Sequence, residues 1–269
     1  TSTRRCSGFQ QHHYPDPSNQ AINLTDTAKT MYLGIDLGTS SVKSVLMDEA
    51  QHIVASHSAT LSVSRPHDGW SEQDPADWIN AIEHTLEALK SSHAKALAAV
   101  RGIGLSGHMH GATLLDADDH VIRPCMLWND TRSHAQAHRL DTPRFRQIGG
   151  NILFPGFTSP KLAWVAENEP DNFARVSKVL LPKDYARLWL TGEHVGEMSD
   201  AAGTGWLDVA SRHWSDELLE ATGLTTQHMP RLVEGTQTSG QLRVTLAHRF
   251  GMQESVVVAG GAGDNAASA

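Results

Sequence analysis

The sequence has little cysteine, no surplus of basic charge and no long apolar run, and each shortage removes a class of function. Two cysteines, Cys6 and Cys125, in 269 residues support neither a disulfide framework nor a zinc site, so a reducing, cytoplasmic setting is expected. No stretch is apolar for long enough to make a membrane helix, and residues 1–30 lack the apolar centre of a secretory signal. A formal net charge of −8, a pI near 6.0 and no basic stripe argue against nucleic acid as the main partner. Sixteen histidines are present, but they are scattered, with no His-Glu-x-x-His or comparable ligand spacing. What remains is an acidic, globular chain suited to small metabolites, long enough for one large domain or two smaller ones.

Two short apolar runs between Met31 and Met47 flank Gly38-Thr39-Ser40, with Asp36 near the end of the first run. This pattern predicts a β-hairpin in which Gly38 allows a positive φ or a close approach. Such a turn offers phosphate a row of backbone N–H groups, and Asp36 is placed to hold hydrated Mg2+. The same residues also fit an ordinary hairpin in which the acid caps the turn. Residues 1–30 mix Pro, Gln, His and Arg without apolar period and read as a disordered leader. Gln51 to Thr60 predicts a third strand of one antiparallel meander. Asp74-Pro75 then starts a helix whose Trp78, Ile79, Ile82, Leu86 and Leu89 share a face toward the sheet.

Val100 to Gly107 predicts a buried strand that opens into His108-Met109-His110-Gly111, beyond a strand end where α/β ligands sit. The two histidines could equally make local hydrogen bonds. Ala112–Leu115 and Val121–Arg123 predict short strands. The cluster Trp128-Asn129-Asp130-Thr131-Arg132 fits either the lining of a polyhydroxylated ligand or a strand end followed by an Asp-capped helix. Helices are expected at His134–Leu140, from Pro160, from Pro182, after Ser215 and at Val244–Phe250, a short strand at Val179–Leu181 and a small-residue loop at Ser199–Thr204. At the end of the chain a buried strand, Ser255–Ala259, a flexible Gly260–Gly263 loop and a helix start at Asp264 make an anion site. Asp264 is either the N-cap or a base that accepts a hydroxyl proton during phosphoryl transfer.

These segments resemble the FGGY family of carbohydrate kinases, within the actin-like ATPases, and above all its bacterial members that phosphorylate D-xylulose. The resemblance runs from Met31 to Ala269 and rests on Gly34–Ser40, Trp70–Pro75, Gly107–Gly111, Leu127–Asp130, Gly156–Asn168, Leu181–Tyr185 and Ser199–Thr204. It implies an α/β fold, a ribonuclease-H-like lobe with a mixed sheet opened by the three-strand meander and flanked by helices and helical insertions. Residues 31–269 would be the sugar-binding N-terminal lobe, and a nucleotide-binding second lobe is expected beyond Ala269. The implied activity is transfer of a phosphoryl group from ATP, with Mg2+, to the terminal hydroxyl of D-xylulose. Asp264 resembles the catalytic base, Met109 and His110 the ketose contacts, Asn265 a further sugar contact, with Trp128 and Arg132 as additional lining. Asp36 resembles the acid near magnesium, and Gly38, Thr39 and Ser40 the phosphate turn. The family also suggests a homodimer. Glycerol, gluconate, ribulose and rhamnulose remain open as substrates, as does a catalytically silent ketose-binding fragment.

Overall fold

A computed structural model describes residues 29–269. The expected leader lies outside the described residues apart from Lys29 and Thr30, as does Cys6. Strands β1 (Met31–Leu37), β2 (Ser41–Asp48) and β3 (Ile53–Thr60) form the antiparallel meander that the sequence predicts. Strict alternation in β1 buries Met31, Leu33, Ile35 and Leu37 and turns Tyr32, Gly34 and Asp36 to the other face. The pleat therefore exposes Asp36 while its neighbours hold the core.

Helix α1 (Pro75–Ala98) begins with Asp74, whose carboxylate accepts the Ala76 N–H, and with proline in the first turn. Its face of Trp78, Ile82, Leu86 and Leu89 is fully buried against Leu33, Leu37, Val42 and Leu46. Each such side chain contributes about 1.5–3 kcal/mol of burial free energy. Strand β4 (Val100–Gly107) then runs parallel to β1. After a long insertion, β5 (Thr238–Gln241), β6 (Val257–Ala259) and β7 (Ala262–Gly263) complete a seven-stranded sheet in the order β5-β6-β4-β1-β2-β3, with β7 also on β4. This is the mixed, meander-first sheet of a ribonuclease-H-like lobe.

The insertion builds its own core, in which Leu162, Val165, Trp206 and Leu218 pack together. Helices α2 (Thr158–Asn168), α3 (Pro182–Thr191) and α4 (Met198–Ala202) lie here. Several expectations change. Residues 199–204 are mostly helix, because Glu197 accepts the Ser199 and Asp200 N–H groups and caps α4. The strand expected at Val121–Arg123 shrinks to a single bridge between Leu115 and Val121. Short helices at Pro143–Gly149 and Pro170–Phe173 are too brief to show an apolar period.

The Gly260–Gly263 segment is a pinned bulge instead of a flexible loop. Val257 and Val258 pair with Gly102 and Ile103, whereas Ala262 and Gly263 pair with Ser106 and Gly107. The offset between partners grows from 155 to 156, so one extra residue is inserted between β6 and β7. Gly261 supplies it at φ +72°, and a Cβ there would lie 2.0 Å from the Leu105 carbonyl oxygen. A Cβ at Gly260 would meet the Glu234 carbonyl at 2.2 Å. These glycines are required by close packing.

Candidate active site

The register brings both ends of the chain's motif series to one edge. Leu37 pairs with Gly107, and Gly107 pairs with Gly263. Two strand spacings, about 10 Å in all, separate the β1 and β7 backbones. The hairpin turn and Asp264 therefore stand at neighbouring carboxyl ends of strands, where α/β sheets bind ligands.

The hairpin turn is fixed from below. The Trp78 indole N–H donates to Gln73 Oε1 at 3.0 Å, and Gln73 Nε2 donates to the carbonyls of Thr39 at 2.8 Å and Ser62 at 3.1 Å. The Ser40 carbonyl accepts from Leu61 N–H at 2.8 Å. Gly38 N–H is used by the Ser41 carbonyl at 3.0 Å, while Thr39 and Ser40 N–H make no backbone bond among the described residues. Gly38 does not take a positive φ; its role is close approach, since a Cβ would stand 3.1 Å from the Ser41 carbonyl. Asp36 faces an open groove of about 400 Å3 together with Lys43, Gly34, Gly104 and Ala262. Its carboxylate has no hydrogen-bond or ion-pair partner among the described residues, so its oxygens suit an aquated divalent cation.

Beyond β4 and β7, Met109, His110, Trp128, Asp264 and Asn265 line one cavity of about 170 Å3. A second chamber of about 440 Å3 shares Met109, His110 and Asn265 with it and adds Asn151, Phe157, Ser199 and Gly203. The Trp128 indole is half exposed and donates to Thr39 Oγ1 at 3.0 Å, which joins the cavity rim to the phosphate turn. Asp264 is the first residue of helix α5 (Asp264–Ala267), and Gly263 takes the N-cap position, so the N-cap reading of Asp264 does not hold. Its Oδ1 accepts Asn265 N–H at 2.8 Å, leaving the other oxygen open.

His110 has a defined tautomer. Its Nδ1 lies 2.6 Å from the Gly203 carbonyl, which only accepts, so Nδ1 carries the hydrogen. The ring stacks on Phe157 with centroids 4.7 Å apart. Burial, opposed by the Gly203 bond and helped by the Lys161 charge, lowers its pKa to about 4. The ring is neutral near pH 7 and presents Nε2 as an acceptor.

Arg132 does not join the cavity. Its guanidinium is buried on Asp130 and Glu72, at 2.7 and 2.8 Å, and stacks 3.5 Å from the Trp70 ring centroid. Asp130 likewise caps no helix; it accepts from Ser71 N–H at 2.7 Å and from Arg132. This pair braces the Trp128 segment from behind. Sequence reasoning missed Gly203 and Gly263 as shape-setting residues. A Cβ at Gly203 would reach the His110 ring at 2.6 Å, and one at Gly263 would reach Met109 Cγ at 2.7 Å. It also missed Arg187 on α3, whose guanidinium donates to the Ala259 and Gly260 carbonyls at 2.6 Å each and anchors the bulge before Asp264.

Among the described residues no helix is long and apolar enough to cross a membrane. The xylulose kinase of Escherichia coli (strain K12) is 52% identical over 241 residues, which cover 89% of this chain and 49% of that relative. The crystal structure of a xyloylose kinase from Brucella ovis superposes with a TM-score of 0.87 at 63% identity, over 88% of this chain and 49% of that one. A xylulose kinase from Rhodospirillum rubrum gives a TM-score of 0.84 at 28% identity, over 87% and 49%. The chain thus spans about half the length of the relatives it matches. Residues 31–269 match the model of the FGGY family of carbohydrate kinases, N-terminal domain, and the chain belongs to that family.

Proposed function

We propose that this lobe binds D-xylulose for phosphorylation by ATP, giving D-xylulose 5-phosphate. The observation that carries the reading is the cavity lined together by Met109, His110, Trp128, Asp264 and Asn265, two strand spacings from the Asp36 turn. The xylulose kinases among the relatives support the choice of ketose.

In this reading the sugar lies against Met109, its hydroxyls bonded to His110 Nε2 and Asn265. The terminal hydroxyl points to Asp264, whose free carboxylate oxygen accepts the proton as the oxygen attacks the γ-phosphorus of ATP. Free N–H groups of Thr39 and Ser40 face the phosphates, and Mg2+, held through water by Asp36, would offset their charge. Arg132 has no direct part. The adenosine end is assigned to a second lobe, with closure of the two excluding water.

Replacing Asp264 with Asn in the full-length protein is expected to lower kcat by at least 1,000-fold, on the order of what loss of a base and its charge costs. D-Xylulose binding by calorimetry should stay within a few-fold of the parent. Near-normal turnover would remove Asp264 from the role. Coupled ADP detection across D-xylulose, ribulose, rhamnulose, gluconate and glycerol tests the sugar, with D-xylulose expected to give the highest kcat/KM.

A further inference from the structure

His110 is the centre of a three-residue turn closed by Gly111 N–H to the Met109 carbonyl at 2.9 Å, with His110 itself at φ +68°. A γ-turn of positive φ is rare and strained for a residue with a Cβ, so surrounding contacts must hold it. Two groups do so from one helix. Lys161 Nζ donates to the His110 carbonyl at 2.8 Å and to the Gly156 carbonyl at 2.7 Å, and Thr158 Oγ1 donates to the same His110 carbonyl at 3.2 Å.

The lysine is poorly explained as a stabilising feature. It is fully buried, and among the described residues its ammonium forms no ion pair. It also sits in the first turns of α2, the end of a helix dipole that disfavours a cation. Desolvation of an unpaired cation costs free energy that an apolar side chain of similar length would not. Its placement makes sense through what it touches. The residue carrying the His110 ring also carries the carbonyl that Lys161 holds, and the ring is then fixed from its other side by Gly203 and Phe157.

We propose that Lys161 is the positioning residue for His110, gripping its carbonyl so that the strained turn aims Nε2 at a ketose hydroxyl. The proposal rests on the sugar-site reading above. Lys161 touches neither sugar nor phosphate and acts only through the turn.

The test compares K161M, H110G and the double variant in the full-length protein, reading KM for D-xylulose, KM for ATP and kcat. Methionine keeps most of the side chain's length and removes its donors, leaving the His110 carbonyl to Thr158 alone and the Gly156 carbonyl without the ammonium, which predicts about a tenfold rise in D-xylulose KM. ATP KM should not move, whereas a general folding defect would lower the active fraction and kcat without raising one KM. H110G should raise D-xylulose KM by at least as much, because it removes the ring and relaxes the turn. The double variant should be no worse than H110G, since Lys161 then has nothing to position. If K161M leaves D-xylulose KM unchanged while H110G raises it, the positioning role is wrong and the sugar site stands. Multiplying effects in the double variant would equally overturn the role. If H110G itself leaves D-xylulose KM unchanged, the sugar-site reading fails and takes the proposal with it. Should K161M not fold, T158V replaces it, with a two- to threefold rise expected from losing the second donor to the same carbonyl; no rise overturns the proposal.

Discussion

Two lysines lie fully inside this lobe and answer burial in opposite ways. Lys183 on α3 places its ammonium 2.8 Å from both Asp184 and Asp200. Burial works against its charge, but the two carboxylates outweigh it and hold its pKa above the ordinary value. Lys161 on α2 has only carbonyl dipoles, and burial pulls its pKa down to about 7. The first is compensated in kind and shares Asp184 with Arg187, which anchors the bulge that carries Asp264. Among the described residues the second has no counter-ion beneath the candidate sugar cavity, and it gives up its proton far more readily. A buried cation without a counter-ion is costly, so its retention points to a task at the site.

Breaking the compensated lysine should have the largest effect. K183M leaves Asp200 buried without its cation and Asp184 with Arg187 alone, and a loss of about 3–5 kcal/mol in unfolding free energy is expected from urea denaturation at pH 7. D200N should cost less than half of that. Burial already pushes the Asp200 carboxyl up to about 7, against the pull of Lys183, so it is the partner that yields its charge first on acidification. The 2.8 Å contact between Lys183 Nζ and the Asp200 carboxylate favours the ion pair at pH 7. Equal losses for K183M and D200N would contradict the asymmetry.

Acid sharpens the comparison from the other side, because the Lys161 charge acts on the buried His108 and the half-buried His110. Desolvation first, then the charges of Lys161 and His110, lower the His108 pKa to about 3, and His110 is lowered to about 4. Both rings titrate near 6.5 when unfolded, so between pH 6.5 and these values the unfolded chain binds more protons. Stability from these groups is therefore present above pH 6.5 and is lost as pH falls. By pH 5 each histidine should account for about 2 kcal/mol of loss. H108F is expected to remove its share of this acid limb in urea titrations at pH 7 and 5; an unchanged limb would mean that His108 is not held neutral by burial.

Much of the frame was legible in the sequence because period-2 and period-3.6 patterns are local. The meander, α1 with its Asp74 cap and the two helices ending at Leu140 and Phe250 appear at or near their expected bounds. The convergence of Asp36, Met109, His110 and Asp264 was legible only through the family resemblance, since nothing in residue spacing tells that β7 pairs with β4. What escaped was set by contacts between distant segments. Arg132 reads as a ligand-facing residue beside Trp128, yet Glu72 and Trp70, some sixty residues earlier, draw it inward. Gly260 and Gly261 read as flexibility, yet the Glu234 and Leu105 carbonyls require their missing side chains. The roles of Gly203 and Lys161 depend on the fold of one strained turn that no periodicity announces.

The smallest expected effect separates the lysines most cleanly. Lys161 has a folded pKa of about 7 against an ordinary 10.5, so between these values the unfolded chain binds the extra proton and stability from this group rises with pH. The slope is about 1.4 kcal/mol per pH unit at most, and near pH 7 to 8 it amounts to about 1 kcal/mol. Lys183, held above its ordinary value, has the opposite sign: its stabilisation is present below about pH 10.5 and fades only at higher pH. Urea titrations at pH 7.0 and 8.0 should therefore show K161M losing the alkaline gain of the parent chain by about 1 kcal/mol. Thr158→Val, which keeps the ammonium, should retain it. An identical gain in parent and K161M would mean that Lys161 is already neutral at pH 7 or fully charged through pH 8, and the contrast with Lys183 would then rest on hydrogen bonding alone.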